Sequence, residues 1–497
     1  MGLLSLIVFL PLLGAILLLF FPKDAHKAIR IFAIIIFSAI FLLSLPLYFQ
    51  FDSSQSGLQF EEQINWIGSI GASYHIGVDG ISVLLVLLTA FLGPIVCLST
   101  WKNITIRIRG FYISLLLLQT GMLGAFVSFD LLLFYIFWEV MLIPMFFLIG
   151  IWGSENRIYA TVKFFLYTMV GSLLMFLAGL YLYNVAGTFE LSILYETIRA
   201  NSIPESVQLW LFAAFALSFA IKVPLFPFHT WLPDAHVQAP TAGSVILAGV
   251  LLKMGTYGFI RFAIPLFPDA TLVFAPYLST LAAVGIIYGA LMALAQTDMK
   301  KLIAYSSVSH LGYVVLGLFA FNSAGQLSLQ GVEGGIYQML SHGLSTGSLF
   351  LLVGVIYERR HTKTIAEFGG LAKVMPIYAV IFMITMLSSI GLPGLNGFIG
   401  EFLILMGAFS ANYVFGIMGA LGVILGAVYM LILYQRTFFG EITNKKNLPL
   451  NDLTAREIVV FAPLIIMMVI MGIFPNLFLE KMHATLQALP NIEMFTR

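Results

Sequence analysis

The chain has 497 residues, of which 60% are hydrophobic and only 9% are charged, and its mean hydropathy is +1.00. An ordinary soluble domain has about 25% charged residues, so this composition excludes one and indicates a multi-pass integral membrane protein. The net charge of +1 argues against a nucleic-acid partner, and the single Cys97 excludes a disulfide framework or a cysteine-ligated cluster.

The apolar segments predict an all-α, polytopic membrane fold. A helix needs about 20 mainly apolar residues to cross the hydrocarbon core of a bilayer. By this rule the chain has about 14 transmembrane helices. In chain order, predicted spans 1 to 14 cover residues 3–21, 29–49, 78–100, 111–127, 130–151, 160–184, 207–227, 239–264, 271–294, 301–321, 334–356, 374–408, 412–435 and 457–477.

Two of these spans contain residues that break a helix. Span 7 ends with Lys222, Pro224 and Pro227, and residues 391–397 interrupt span 12 with three glycines and Pro393. Proline removes a backbone donor, and in a bilayer the freed backbone groups need protein or a water-filled cavity beside them. We therefore predict two broken helices, 7 and 12, beside an ion path.

The broken helices lie five spans apart, which predicts two five-helix repeats made of helices 4–8 and 9–13. Five is odd, so one repeat is predicted to be inverted relative to the other in the membrane. Residues 1–497 then form a single integral membrane domain. Its parts are helices 1–3 in residues 1–110 with an external loop at 50–77, the first repeat at 111–264, the second at 271–435, and helix 14 with the tail at 436–497.

The distribution of positive residues predicts the orientation of the chain. Of 24 Lys and Arg residues, 18 fall in the loops after spans 1, 3, 5, 9, 11 and 13. Short cytoplasmic loops carry such an excess, so both termini are predicted to be non-cytoplasmic. Arg261, near the end of span 8, is counted with the loop that follows this span, on the opposite side. The loop at 50–77 has three acidic residues and no Lys or Arg, and we expect an external cap of turns or a hairpin there.

Four ionisable side chains lie well inside apolar runs: Glu139, Lys222, Lys253 and Glu401. Each costs roughly 2.5 to 3.5 kcal/mol at a helix centre on insertion scales, so a functional role is expected. Burial disfavours a charged lysine, and an approaching carboxylate restores the charge. We interpret Glu139 and Lys222 as a switch, Lys253 as the central proton carrier, and Glu401 as the exchange group on the far side. The alternative is a structural ion-pair network that holds helices together.

Two histidines are candidates to link these groups. His310 and His342 lie in spans 10 and 11 among serines, and imidazole exchanges protons near neutral pH. The alternative for each is a packed, hydrogen-bonded helix residue.

Other polar residues near the spans are predicted to be structural. His229, Asp234 and His236 border the turn at Trp231 and are expected to anchor that loop. Asp79 and Asp130 begin spans and are expected to cap helix N-termini.

The sequence has no nucleotide-binding glycine fingerprint, P-loop, metal-ligand cluster or nucleophile triad. The energy for ion movement is therefore expected to come from a gradient or from a partner.

At the buried charges and broken helices described above, the chain resembles the antiporter-like membrane subunits of proton-pumping NADH:quinone oxidoreductase, respiratory complex I. Within that family it resembles the subunit M branch, the mitochondrial ND-four equivalent. The resemblance covers spans 3 to 14, and its most specific segments are residues 137–139, 222–241, 253–255, 298–307, 391–393 and 400–401. It implies inverted repeats, a Glu and Lys pair at Glu139 and Lys222, a central Lys253, and no redox centre or other cofactor in this chain. NADH, FMN, iron-sulfur clusters and quinone are expected in other subunits.

Glu401 separates the branches of the family, because the sister subunits L and N carry Lys at this place in the broken helix. The resemblance implies other membrane-arm subunits as partners, with L and N as neighbours, and surrounding lipids. It also implies the bacterial plasma membrane, with plastid-type relatives left open. Two alternatives are a subunit of a multisubunit cation/proton antiporter or membrane-bound hydrogenase, and a non-pumping structural spacer.

Overall fold

The structure is a computed structural model that describes residues 2–200, 203–489 and Phe495. Its apolar stretches fold as helices, because a helix satisfies its own backbone hydrogen bonds, as a segment in lipid must. Setting single turns aside, nineteen helices in the described residues are numbered here: α1 (Leu3–Leu19), α2 (His26–Phe49), α3 (Ser82–Ser99), α4 (Ile108–Val127), α5 (Leu131–Val140), α6 (Leu142–Trp152), α7 (Arg157–Ala186), α8 (Leu191–Arg199), α9 (Glu205–Lys222), α10 (Trp231–Gln238), α11 (Thr241–Leu266), α12 (Pro268–Leu294), α13 (Met299–Leu318), α14 (Leu329–Arg360), α15 (Pro376–Ser389), α16 (Asn396–Ala411), α17 (Tyr413–Phe438), α18 (Ala455–Ile473) and α19 (Asn476–Gln487).

These helices account for all the predicted spans. Within the described residues, 11 segments are long and apolar enough to cross a membrane, with α5 and α6 counted together. The helix α1 and the two half-helices α15 and α16 are shorter but apolar, and α13, with 20 residues, occupies predicted span 10. The predicted polytopic helical fold is confirmed, while its division into two inverted repeats remains a prediction.

Both predicted broken helices are present. The first consists of α9, which ends at Lys222, and α10, which begins at Trp231 after a turn that contains Pro224 and Pro227. The second consists of α15 and α16. The segment between them contains Gly391 and Gly394 at φ of 75° and 92°, a left-handed conformation that favours glycine.

Span 5 is present as predicted, with an interruption at Met141. The helix α5 ends at Val140 and α6 begins at Leu142. Pro144 explains the interruption, because it lacks the amide hydrogen that would bond to the carbonyl of Val140. The two helices together still form one apolar segment, Leu131–Trp152, and the interruption falls next to Glu139.

The external loop forms a β-hairpin, as expected. Strands β1 (Gln59–Ile67) and β2 (Ala72–Val78) pair antiparallel, with Gln63 opposite His75. The hairpin is tied to α8, a lateral amphipathic helix outside the predicted spans, because His75 Nδ1 lies 2.6 Å from Glu190 Oε1 at the start of α8. On its other side, His75 Nε2 lies 2.8 Å from Glu61 Oε1. The fold is thus helical apart from this hairpin.

Loops that follow odd-numbered spans meet at one end of the molecule. They surround a cavity of about 480 Å³, here called the access cavity, whose lining includes Asn103, Ser154, Ala239, Lys300 and Lys363. The hairpin and α19 lie at the other end, where Gly80 N donates to Thr485 Oγ1 over 2.9 Å. This grouping agrees with the predicted alternation of loops, and the membrane side of each end remains a prediction.

The helices α11 and α14 form the centre of the molecule. The apolar windows of both are wholly buried in protein, whereas only about a third or fewer of the window residues in α2, α17 and α18 are buried. The central pair carries Lys253 and His342. The candidate groups on these two helices are therefore shielded from lipid.

Candidate functional site

Lys253 is fully buried in the middle of α11. It stands in a short α-helical segment, Leu252–Gly258, between two π-helical segments, Leu247–Leu251 and Phe259–Ala263. Such wide turns in a helix are frequent at functional sites. The Lys253 ammonium donates to the backbone carbonyl of Ala248, and it lies 2.6 Å from His342 Nδ1. The sequence-predicted central lysine thus contacts one of the predicted histidines.

The glycine at position 343 allows this contact. A Cβ at Gly343, next to His342, would lie 2.9 Å from the carbonyl oxygen of Gly249 and 2.8 Å from a Leu88 methyl. Because real Cβ contacts are longer than these, only glycine at 343 lets α14 approach α11 so closely. The close backbone approach brings the Lys253 amine within hydrogen-bond distance of the imidazole.

His310 continues the series beyond His342. The ring centroids of His310 and His342 are 5.8 Å apart. His310 Nδ1 lies 3.2 Å from Glu401 Oε1, and its Nε2 lies 3.4 Å from Ser389 Oγ. We call the four residues Lys253, His342, His310 and Glu401 the central line.

Glu401 ends the central line on α16, just after the second helix break. Gln338 Nε2 donates to Glu401 Oε1 over 3.2 Å. A Cβ at Gly400 would lie 2.9 Å from Gln338 Cα, so glycine allows α16 to press against α14 here. All four members of the central line are buried, as proton carriers in lipid must be if their charges are to be controlled.

Glu139 and Lys222 come close together without forming an ion pair. The Lys222 ammonium lies 4.6 Å from the centre of the Trp138 ring, and the charge of Glu139 acts on it. Neither Lys222 Nζ nor Glu139 Oε1 has a hydrogen-bond partner in the described chain. Lys222 is buried, whereas Glu139 is partly exposed. Both side chains stand at helix breaks, as the last residue of α9 and the residue before the end of α5.

His236 is a functional candidate that the sequence analysis assigned only to loop anchoring. It is fully buried, it stacks on Phe350 at 4.4 Å, and neither ring nitrogen has a hydrogen-bond partner in the described chain. Lys253 and Lys300 are the charged groups whose fields reach it. Both ring nitrogens of His229 are unpartnered as well, so what distinguishes His236 is its position within the fields of Lys253 and Lys300.

Lys300 and Lys363 hold the end of α10 below the access cavity. Lys300 Nζ donates to the carbonyl of Ala239 over 2.6 Å, and Lys363 Nζ donates to the carbonyl of Val237 over 3.0 Å. Asp234 anchors α10 from another side through an ion pair of 2.7 Å with Lys163, as expected for this residue. No pattern in the sequence marks Lys300 as different from its neighbour Lys301.

His229 packs by its ring, 5.7 Å from Phe226 and 5.0 Å from Tyr288. This packing agrees with its predicted role in anchoring the loop.

Asp79 and Asp130 cap helices as predicted. Asp130 Oδ1 accepts from the amides of Leu132 and Leu133 at 2.9 and 3.0 Å. Asp79 accepts from two amides at the start of α3, and it also forms a buried ion pair with Arg261. Arg261 lies within α11, so counting it with a loop was wrong. The Asp79 carboxylate pairs with the Arg261 guanidinium inside the protein, so the arginine does not need water around its charge.

The side chains gathered at this site are titratable groups. The described residues contain no group of three or more His, Cys, Asp and Glu side chains that is able to hold a metal ion. The central line instead joins an amine, two imidazoles and a carboxylate, all of which bind and release protons. Buried ionisable groups of this kind on broken helices define a polytopic ion-translocating protein of the antiporter-like class.

Comparison with known proteins identifies the family. Residues 128–427 match the sequence profile described as the transmembrane region of NADH:quinone oxidoreductase and Mrp antiporters, and the chain belongs to this family. The chain is 47% identical over 490 residues to NADH-quinone oxidoreductase subunit M of Rickettsia bellii, covering 98% of both chains. It is 45% identical over 487 residues to NADH-ubiquinone oxidoreductase chain 4 of Marchantia polymorpha, covering 98% of this chain and 96% of the relative.

A solved structure agrees with these sequence relatives. A chain in respiratory complex I from Thermus thermophilus with bound NADH matches with a TM-score of 0.88 at 34% identity, covering 99% of this chain and 100% of that one. The resemblance found from sequence motifs is confirmed.

Proposed function

We propose that this chain is a proton-translocating, antiporter-like membrane subunit of an NADH:quinone oxidoreductase. The observation that carries the proposal is the central line, in which Lys253, His342, His310 and Glu401 follow one another through the buried middle of the protein. The relatives named as subunit M support the assignment to this complex. Electron transfer in other subunits supplies the energy.

Protons reach the central line from the access cavity. Lys300 lines this cavity, and the buried, unpaired imidazole of His236 lies within the fields of Lys300 and Lys253. Imidazole accepts a proton on one nitrogen and releases one from the other, so it carries protons without moving far. His236 is therefore the proposed link between the cavity and Lys253.

The transfer along the central line begins at a hydrogen bond. Lys253 Nζ donates to His342 Nδ1, so the lysine gives up a proton as the imidazole becomes an imidazolium. His342 then passes the proton from its other nitrogen to His310, through rotation of a ring or one bridging water. His310 hands it to the Glu401 carboxylate at 3.2 Å. Each step neutralises one group as the next takes the proton.

Glu139 and Lys222 are the proposed switch for this transfer. Since Glu139 is partly exposed beside a helix break, its side chain can move toward Lys222 or toward a neighbouring subunit. When it moves toward Lys222, the lysine charge is stabilised. When it moves away, the uncompensated charge of Lys222 favours proton release from Lys253, on the helix that packs against the end of α9, through like-charge repulsion.

The same proposal extends to the assembly. The chain is placed in the bacterial plasma membrane, with both termini non-cytoplasmic, beside other membrane-arm subunits of the L and N kind and membrane lipids. NADH, FMN, iron-sulfur clusters and quinone are bound by other subunits. The access cavity then faces the cytoplasm, since basic loops surround it.

The test is proton pumping by the whole complex reconstituted in liposomes with Lys253→Met. The expected result is loss of pumping with the complex still assembled, because methionine fills the lysine site without a titratable group. Lys373→Met is the matched control, since Lys373 is half exposed and pairs with Glu441 on the surface. Pumping retained at the wild-type level in Lys253→Met would falsify the proposed role.

The two alternatives make different predictions. A cation/proton antiporter subunit exchanges sodium or potassium for protons without NADH, which the same liposomes measure directly. A structural spacer tolerates Lys253→Met and Glu139→Gln with full pumping. The match to complex I relatives over nearly the whole chain favours the proposed function over both.

A further inference from the structure

We propose that Arg261, paired with Asp79, closes the outer end of the helix that carries Lys253, so that a proton on Lys253 does not leave outward along this helix. Here the outer end is the end of the molecule with the hairpin and α19. This inference rests on the proposed function, because it concerns the path of the proton that Lys253 carries. It assigns a sealing role to residues outside the central line.

The first argument is the spacing along α11. Lys253 and Tyr257 are four residues apart within the α-helical segment, which places them on one face, and Arg261, in the π-helical segment that follows, donates its Nε to the Tyr257 hydroxyl. Eight residues rise about 12 Å in a regular α-helix, so Arg261 stands about that far outward of Lys253. A proton that travelled outward along this face would have to pass both side chains.

Neither side chain relays a proton. A guanidinium stays protonated in proteins, so Arg261 has no free site to accept one. The Tyr257 hydroxyl donates to the carbonyl of Phe126 over 3.0 Å and accepts from Arg261 Nε over 3.2 Å, so its hydrogen-bonding capacity is used by fixed groups. A fixed cation also repels positive charge, as positive groups do in water pores that exclude protons.

Several outer elements hold Arg261 in place. Its guanidinium bonds to Asp79 at the start of α3 and lies 4.7 Å from the centre of the Phe129 ring. Tyr195 on α8 donates to the carbonyl of Arg261 over 2.5 Å. The Arg261 and Asp79 side chains are only 4% and 3% exposed, so the pair is buried from bulk solvent. We call Arg261, Asp79, Tyr257 and Tyr195 the outer clasp.

The sideways direction from Lys253, toward α14, is built differently. His342 is in hydrogen-bond contact with Lys253, and His310 and Glu401 follow it. The protein therefore offers Lys253 one neighbour that accepts protons and, on the outer side of its own helix, one that does not. This asymmetry prevents protons outside from returning to Lys253 by the shortest way.

The experiment measures passive proton entry into liposomes that contain the whole complex, under an imposed pH difference and without NADH, per assembled complex. Arg261→Ala removes the guanidinium and leaves a polar cavity beside the Asp79 carboxylate, where water can stand. Proton entry is expected to rise about tenfold, the effect of one unit charge at about 12 Å with an effective dielectric constant of about 20. Arg261→Lys keeps a cation and is expected to leave proton entry at the wild-type level.

Two further variants show whether the leak uses this path. Arg261→Ala combined with Lys253→Met is expected to return proton entry to the wild-type level, because the carrier at the inner end is gone. Arg359→Ala is the matched control, since Arg359 on α14 also forms an ion pair, 2.8 Å from Glu457 on α18, that is partly buried but lies at the other end of the molecule. Its proton entry is expected to be unchanged.

The outcomes separate this inference from the proposed function. Unchanged proton entry in assembled Arg261→Ala overturns the outer clasp, as does a leak that persists with Lys253→Met or appears equally in Arg359→Ala. If Arg261→Ala does not assemble, Arg261→Gln carries the same expectations. Retained NADH-driven pumping in Lys253→Met with Arg261 intact overturns the proposed function alone, because NADH-driven pumping is measured separately from passive proton entry.

Discussion

His310 Nδ1 and Glu401 Oε1 lie 3.2 Å apart, although the two residues are 91 positions apart in the sequence. Their orientation does not satisfy the geometry of a hydrogen bond. The contact joins the second broken helix to the centre of the protein. An acid and a base in contact but poorly aligned exchange a proton after a small rotation of either side chain. This relationship makes Glu401 the proposed final acceptor of the central line.

We predict that Glu401→Gln lowers NADH-driven pumping about a hundredfold, in line with the usual contribution of a positioned acid or base. Glutamine keeps the shape and a hydrogen bond to Gln338 but cannot take the proton. Pumping is measured with a pH-sensitive dye in liposomes, next to quinone reduction. Glu333→Gln is the control, because Glu333 lies on α14 near the surface and pairs with His483. Equal pumping in the two variants would remove Glu401 from the path.

We predict that Gly343→Ala lengthens the contact between Lys253 and His342. The added methyl would meet the carbonyl of Gly249 at 2.9 Å, so the two central helices must separate. Overpacking of this kind costs about 1–3 kcal/mol of stability. Thermal unfolding and pumping of the complex are the measurements, and both are expected to fall. Gly347→Ala on the same helix is the control, since its nearest neighbour is a Val245 methyl at 3.6 Å, an ordinary contact.

We predict that His236→Phe keeps or raises stability while it slows pumping. Phenylalanine preserves the stacking on Phe350 and removes two buried nitrogens that lack partners, which changes stability by about 1 kcal/mol in the favourable direction. The proposed link from the access cavity to Lys253 is lost at the same time. His229→Phe is the control, because that ring packs against Phe226 and Tyr288 and lies outside the proposed path. A His236→Phe complex with normal pumping would show that protons bypass this residue.

We predict that the hairpin is held more tightly at low pH than at high pH. Burial alone lowers the pKa of His75, but the hydrogen bonds and charges of Glu190 and then Glu61 outweigh it and raise the pKa above 6.5. Asp130 adds a further carboxylate nearby, bonded to Ser73.

A base with a raised pKa in the folded state stabilises it fully below the unfolded pKa, and this contribution is lost as the pH rises through the folded pKa. Hydrogen exchange of the β2 amides is therefore expected to accelerate as the pH rises above 6.5, beyond the intrinsic increase. His75→Gln abolishes this extra pH dependence. His483→Gln is the control, since His483 is an exposed histidine that also faces a glutamate. An unchanged profile in His75→Gln would contradict the prediction.

The spans were predictable because their lengths and apolar content follow from bilayer thickness, and both predicted helix breaks follow from proline and glycine chemistry. The break beside Glu139 was also readable from Pro144, once the missing amide hydrogen is considered. Arg261 was misassigned because hydropathy treats an arginine as a loop residue, whereas its partner Asp79 lies 182 residues away in sequence. The π-helical turns beside Lys253 and the free nitrogens of His236 depend on tertiary packing, which local patterns do not encode.

The central line lies at one level of the molecule. Lys253 is the thirteenth of 26 residues in α11, His310 the twelfth of 20 in α13, and His342 the fourteenth of 32 in α14. A charge that crosses the whole membrane works against about 2.3 kcal/mol per 100 mV, but a charge that moves parallel to the membrane plane works against almost none. Under the proposed function, the transmembrane voltage therefore acts on proton uptake and release, and the steps between Lys253 and His310 are expected to proceed at nearly the same rate in an energised and a de-energised membrane.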